Sequence, residues 1–104
     1  MSNIFKCLLV FSLFIFTSNL FGQKKFTISW YLKDESNGES LIGATVSVAD
    51  TTGRGTATNV YGFYSLSLPE GKYIINFSYV GFATIAKEVI LDHDLELNLA
   101  MGAG

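Results

Sequence analysis

Glycine recurs at short intervals through residues 38–82, and this spacing limits that part of the chain to short elements. The seven glycines of the stretch are Gly38, Gly43, Gly53, Gly55, Gly62, Gly71 and Gly81. Glycine accepts the positive φ that tight turns need. The runs between the glycines are rich in Val, Ile, Thr, Tyr and Phe, which favour strands. The stretch therefore predicts short strands joined by tight turns.

Alternation of apolar and polar residues predicts seven strands after residue 23. They cover residues 26–32, 44–49, 56–59, 63–68, 72–80, 84–91 and 95–99. No segment after Phe21 has a helical period over about ten residues. We therefore expect an all-β fold, a seven-stranded antiparallel Greek-key sandwich of the transthyretin (prealbumin) type with two sheets packed face to face.

The expected core consists of apolar side chains that share one face of a strand. These are Trp30, Val46, Val48, Tyr64, Leu66, Tyr73, Ile75, Phe77, Leu97 and Leu99. Complete burial of one such side chain stabilises a fold by about 1.5–3 kcal/mol before entropy is subtracted. The core alone must then hold the domain together.

Residues 1–22 have the three-part layout of a cleaved secretory signal peptide. Lys6 precedes the apolar run of residues 7–16, and small polar residues follow before Gln23. A membrane anchor is the alternative, but the run is about half of the roughly 20 residues that a spanning helix needs. Cys7 is the only cysteine. The mature domain, residues 23–104, is thus expected to have no disulfide and no membrane span.

Charge argues against two classes of partner. Residues 23–104 carry a net charge of −3, without a run of basic residues. Nucleic-acid binding needs a clustered basic face, and an anionic membrane surface attracts polybasic segments. We expect neither partner.

The sequence predicts no catalytic, cofactor-binding or metal-binding residue. His93 is the only histidine, and it lies between Asp92 and Asp94. An ion site or acid–base unit is one interpretation of that triplet. A solvated turn is favoured, because zinc sites use three or four ligands that include His or Cys. Residues 50–52 lack the closely spaced carboxylates of a calcium loop. With no second histidine and no serine in a nucleophile elbow, the chain has no candidate triad for hydrolysis. The expectation is a protein that is not an enzyme.

Three aromatic residues beside glycines form a candidate contact surface: Tyr61, Phe63 and Phe82. They could contact a partner domain or stack on sugar rings. The favoured alternative is that they cap an open end of the sandwich and cover the edge of its core.

Four segments, GESLIGATV, GTATNVYGFYSL, LPEGKY and SYVGF, resemble the carboxypeptidase-regulatory-like domain, a transthyretin-like β-sandwich. The resemblance covers residues 25–99. In this family the aromatics belong to the fold signature, and the zinc site of carboxypeptidases lies on a separate catalytic domain. Trp30 stands where the family's receptor copies more often have glycine, so its indole needs either space in the core or exposure at the edge of the first strand, within the same fold.

The segment TNVYGFYSL is similar to copies at the N-terminus of Bacteroidetes-type TonB-dependent outer-membrane receptors. That resemblance implies a non-catalytic module in the periplasm or at the outer membrane. Its partners would be the plug and barrel of a receptor or another envelope protein, with an oligosaccharide as a further candidate. The alternative is a free-standing secreted module that binds carbohydrate or protein.

The C-terminal end raises two further expectations. After residues 101–104 a receptor would continue into its plug, so the chain is expected to be either a fragment of a receptor or a free-standing domain. The strand at residues 95–100 carries only Glu96 as a charge. As an open edge it is expected to pair with another chain, since unpaired backbone groups of an edge strand can accept a new strand.

Overall fold

The computed structural model describes residues 24–49 and 53–104. The predicted signal peptide at residues 1–22 and the loop residues 50–52 lie outside the described residues. Described residues form strands without helices. The strands are β1 (Lys25–Asp34), β2 (Thr45–Val48), β3 (Gly55–Ala57), β4 (Phe63–Pro69), β5 (Gly71–Ser78), β6 (Ile85–Leu91), β7 (Leu95–Glu96) and β8 (Leu99–Met101).

The strands form two sheets, as expected for a sandwich. In the first sheet β1 is central, with β4 on one side and both β7 and β8 on the other. The second sheet has the order β3-β2-β5-β6. β4 runs antiparallel to β1, from the pair Lys25–Pro69 to the pair Tyr31–Phe63. The all-β prediction is confirmed.

The prediction of a fully antiparallel sandwich was wrong at the C-terminal strand. β7 and β8 both run parallel to β1. The reason is the number of strands between them. Each connection between consecutive strands from β1 to β6 reverses the chain, so β6 runs opposite to β1. The chain reverses once more after β6, and the next segment therefore runs in the same direction as β1. Placed beside β1 in the first sheet, it can only pair in parallel.

The predicted seventh strand is also divided in two, which raises the number of strands in the described part to eight. The register is the same on both sides of the break, because Ile28 pairs with Leu95 and Leu32 with Leu99. The break lies opposite Trp30, whose φ is 159°. At the break the carbonyl of Leu97 accepts the hydroxyl of Tyr64 at 3.0 Å.

Most of the predicted core is buried between the sheets. Six of the ten expected side chains are buried: Val46, Val48, Tyr64, Leu66, Ile75 and Phe77. Tyr73, Leu97 and Leu99 are half-buried and pack against this cluster. Trp30 was predicted wrongly, because its ring lies beside the neighbouring Tyr31, with centroids 5.4 Å apart, and outside the core cluster.

Alternation did not identify several core residues that lie at strand ends or in loops. Leu41 and Ala44 come from the β1–β2 loop, and Leu91 and Met101 end their strands. The buried cluster is completed by Ile28, Leu32, Leu68 and Val89.

The two sheets meet at an aromatic pair. Tyr64 of β4 and Phe77 of β5 lie edge to face, with ring centroids 5.5 Å apart. Such pairs stabilise a core beyond the area that they bury. The hydroxyl of Tyr64 is satisfied by the carbonyl of Leu97, and burial raises the pKa of Tyr64 to about 12.

Phe77→Ala is expected to destabilise the domain by about 3–5 kcal/mol, because it removes a fully buried ring and leaves a cavity. Chemical denaturation of both proteins measures the change in the free energy of unfolding. Ser78→Ala is the control, since Ser78 lies on the opposite face of β5. Equal, small effects of the two substitutions would contradict the inward face assigned to β5.

The raised pKa of Tyr64 predicts a loss of stability in alkali. The unfolded state releases the phenol proton near pH 10, whereas the folded state keeps it until about pH 12. The stabilisation is complete below pH 10 and is lost as the pH rises from 10 to 12. In denaturation curves over this range, Tyr64→Phe should be less pH-dependent than the wild type. The exposed Tyr61→Phe is the control, and identical slopes for all three proteins would contradict the assignment.

Candidate interaction surface

Alternating strand direction gathers three loops and the C-terminal residues at one end of the sandwich. These are the β1–β2 loop (35–44), the β3–β4 loop (58–62), the β5–β6 loop (79–84) and residues 102–104. We call this end the loop end. The predicted contact residues Tyr61, Phe63 and Phe82 all lie in or beside its loops, so the fold brings together residues separated by about twenty positions of sequence.

Thr58 of the β3–β4 loop is hydrogen-bonded to the β1–β2 loop. Its backbone N–H donates to Ala44, and its carbonyl accepts from Gly43. Its side chain is buried, donates to the carbonyl of Leu41 at 2.5 Å and accepts from the N–H of Ala44 at 2.9 Å. The β1–β2 and β3–β4 loops therefore form one layer with satisfied polar groups.

Asn59 and Gly62 fix the direction of Tyr61. The Oδ1 atom of Asn59 accepts the N–H groups of Tyr61 and Phe63, at 2.9 and 3.1 Å. Gly62 has a φ of +74°, and a Cβ there would lie 2.8 Å from the carbonyl oxygen of Leu32. Glycine is thus required at this position for the loop to lie against β1.

The three predicted contact residues have different surroundings. Tyr61 is 69% exposed. Phe63 is half-buried, and its ring lies 5.3 Å from that of Tyr31. Phe82 is half-buried against the core, with its ring 5.5 Å from that of Tyr79. Of the three, only Tyr61 exposes most of its side chain, whereas Phe63 and Phe82 take part in packing.

Sequence reasoning missed three aliphatic residues of the loop end. Ile42 is 52% exposed, Val60 66% and Val80 94%. Two of them directly precede a turn glycine, Gly43 or Gly81, with φ values of +78° and +87°. An aliphatic residue just before a turn glycine was the available signal, because such a turn tip points away from both sheets. Together with Tyr61 these residues give the loop end four exposed apolar side chains among polar ones such as Glu35 and Glu39.

The C-terminal residues are bonded to the same end. The N–H of Ala83 donates to Gly102, and the N–H of Gly104 donates to Gly81. A small cleft of 240 Å³ lies beside them, lined by Asp34, Glu35, Ser36, Phe82, Gly102 and Ala103. The last described residues are therefore packed next to the exposed apolar loops.

The Asp92–His93–Asp94 triplet lies at the opposite end, between β6 and β7. His93 Nδ1 contacts Asp92 Oδ1 at 2.5 Å, and both side chains are exposed. Asp94 instead has a structural role, since its carboxylate accepts the N–H of Thr27 at 2.8 Å. Within residues 24–49 and 53–104, His, Cys, Asp and Glu form no group of three that could hold a metal ion. The same residues contain no helix long and apolar enough to cross a membrane.

The family model of the CarboxypepD_reg-like domain matches residues 28–103. The chain belongs to this family. The match begins within β1 and covers strands of both sheets and all three loops of the loop end. No match to this chain is found among curated proteins.

Removal of metal ions is expected to leave the melting temperature of this CarboxypepD_reg-like domain unchanged. The described residues offer core packing and hydrogen bonds as the source of stability, without an ion-ligand group. Thermal melting with and without EDTA measures this. A fall of the midpoint in EDTA that added calcium reverses would contradict the expectation.

Thr58→Val is expected to lower the free energy of unfolding by about 1–3 kcal/mol. The substitution keeps the shape of the side chain but removes its hydroxyl. The carbonyl oxygen of Leu41 and the backbone N–H of Ala44 then each lose a hydrogen bond in a buried place. Denaturation curves measure the loss. The exposed Thr45→Val is the control, and a loss of similar size there would show that the buried hydroxyl has no special role.

Proposed function

We propose that the chain is a non-catalytic module of the cell envelope that acts by binding another protein through its loop end. The supporting observation is the exposure of Ile42, Val60, Tyr61 and Val80 on loops that meet at one end. Aliphatic residues at that level of exposure suit a surface that another protein covers. Membership of the CarboxypepD_reg-like family agrees with a binding role.

Within that role, we propose that the module is the N-terminal domain of a TonB-dependent outer-membrane receptor, exported by a signal peptide at residues 1–22. The resemblance of TNVYGFYSL to receptor copies supports this context. In a longer chain, a segment after Gly104 would leave the fold at the loop end, beside Gly81. A plug domain attached there could cover the exposed aliphatic residues.

A free-standing module that binds carbohydrate is the second candidate. Sugar rings stack on exposed aromatic faces, and Tyr61 offers one. The other large exposed apolar side chains of the loop end are the aliphatic Ile42, Val60 and Val80 rather than further aromatic rings. Phe63 and Phe82 are engaged with Tyr31 and Tyr79. This composition favours a protein partner over an oligosaccharide.

The receptor proposal is tested by the coding sequence downstream of the Gly104 codon. An open frame that continues into a plug and a β-barrel supports it. A stop codon directly after Gly104, with the protein exported alone, contradicts it and favours the free-standing module.

The role of the loop end is tested with the double variant Val80→Ser, Val60→Ser. Both side chains are exposed, so the variant should keep the wild-type melting temperature. Where the frame continues, the variant receptor should release this domain from its plug, measured as faster proteolysis between the two. Ile90→Ser on β6 is the control, since Ile90 is 60% exposed but lies outside the loop end. Unchanged proteolysis of the double variant would contradict the proposed contact.

A further inference from the structure

We infer that the free edge of β4 is a second interaction surface, which accepts an extended acidic segment of a partner protein as an added strand. This surface lies on the side of the sandwich where β3 and β4 are the outer strands. It is separate from the loop end, and it does not depend on the receptor context.

Hydrogen bonds at both ends of β4 show which of its groups face the open edge. Leu32 N–H donates to Gly62, and Glu70 N–H donates to Lys24. Antiparallel ladders alternate, so the even-numbered residues of β4 bond to β1 and the odd-numbered residues point away from it. Ser65 and Ser67 therefore direct their N–H and C=O groups towards the open edge.

On both sides of these serines, outward backbone groups of β4 are already hydrogen-bonded within the domain. Asn59 donates its N–H to the carbonyl of Phe63 at 2.9 Å and accepts the N–H of Phe63 with its side chain at 3.1 Å. The hydroxyl of Tyr73 donates to the carbonyl of Pro69 at 2.6 Å. Within the described part of the chain, the outward backbone groups of Ser65 and Ser67 have no such partner. The gap has the length of a short added strand.

A cleft of 430 Å³ lies beside this gap. Leu66, Leu68 and Pro69 line one wall, while Lys25 and Arg54 place exposed cations at its border. β3 is only three residues long and ends its pairing with β2 at Gly55, so the cleft stays open beyond it. An apolar side chain of an added strand would enter the cleft, and a carboxylate beside it would meet Lys25 or Arg54.

The other outer strands are less suited to a new strand. β7 and β8 have two and three residues and are separated by a break. β6 carries Lys87 and Glu88 at its centre, and charges on an edge discourage pairing. β4 has seven residues without a charge. The sequence suggests residues 95–100 as the edge that pairs with another chain. We place that pairing on β4 instead.

The test uses the full chain, expressed with its N-terminal segment, and a blocked pentapeptide of alternating valine and glutamate. Titration is followed by backbone amide NMR. The amide signals of Ser65 and Ser67 should shift most and saturate. The same peptide with lysine in place of glutamate should bind about tenfold more weakly or not at all, because it meets Lys25 and Arg54.

Three variants locate the site. Arg54→Glu should weaken binding of the glutamate peptide about tenfold, whereas Lys87→Glu, the same change in charge on β6, should leave it unchanged. Ser67→Pro removes an N–H that points outward, a position where an edge strand tolerates proline, and should abolish binding. If Ser67→Pro fails to fold, the comparison of Arg54→Glu with Lys87→Glu still decides.

Four results would overturn the inference. The first is that the lysine peptide binds as tightly as the glutamate peptide, and the second is that Arg54→Glu and Lys87→Glu change binding equally. The third is that the peptide shifts amide signals of the loop end only. The fourth is self-association in light scattering that is lost in Ser67→Pro. The last result would mean that a second copy occupies the edge. A stop codon after Gly104 would refute the receptor proposal and leave this inference intact.

Discussion

The pairing of β1 on both of its sides is the interaction on which the rest of the structure depends. β4, β7 and β8 each pair with β1 and belong to the first sheet only through it. The same strand places Ile28 and Leu32 at the centre of the core and fixes the loop end through Leu32, which bonds to Gly62. With β1 held on both sides, Tyr64 can reach under it to the carbonyl of Leu97 and meet Phe77 of the second sheet.

In this arrangement the groups that pack the core differ from the groups that are exposed for binding. The described polar groups that are buried, such as the hydroxyls of Thr58 and Tyr64, are satisfied within the fold. The groups that face outward include aliphatic side chains at the loop end and backbone N–H and C=O groups at the β4 edge. Those are groups that bind protein surfaces and extended chains. The function proposed for this CarboxypepD_reg-like domain is accordingly one of contact, with two surfaces on different sides of one sandwich.

The inward faces of the strands could be predicted from the sequence because alternation decides them. Phe77 and Val46 are buried, while Ile74 is exposed despite its apolar side chain. The parallel pairing of β7 could not be read from alternation, because it depends on which sheet the chain enters after β6. The outward ring of Trp30 depends on the local backbone of β1. The exposure of Val60 and Val80 depends on loops that meet only in the fold, and the β4 gap depends on Asn59 and Tyr73, whose bonds no sequence pattern shows.

Amide hydrogen exchange in the free protein tests the central position of β1 most directly. Because β1 is paired on both sides, Thr27, Ile28 and Ser29 should all exchange slowly, with no difference between odd and even positions. Among the described residues β4 is paired on one side only, with β1, so Leu66 should exchange slowly while Ser65 and Ser67 exchange much faster. Alternating exchange along β1, or uniformly slow exchange along β4, would contradict the account.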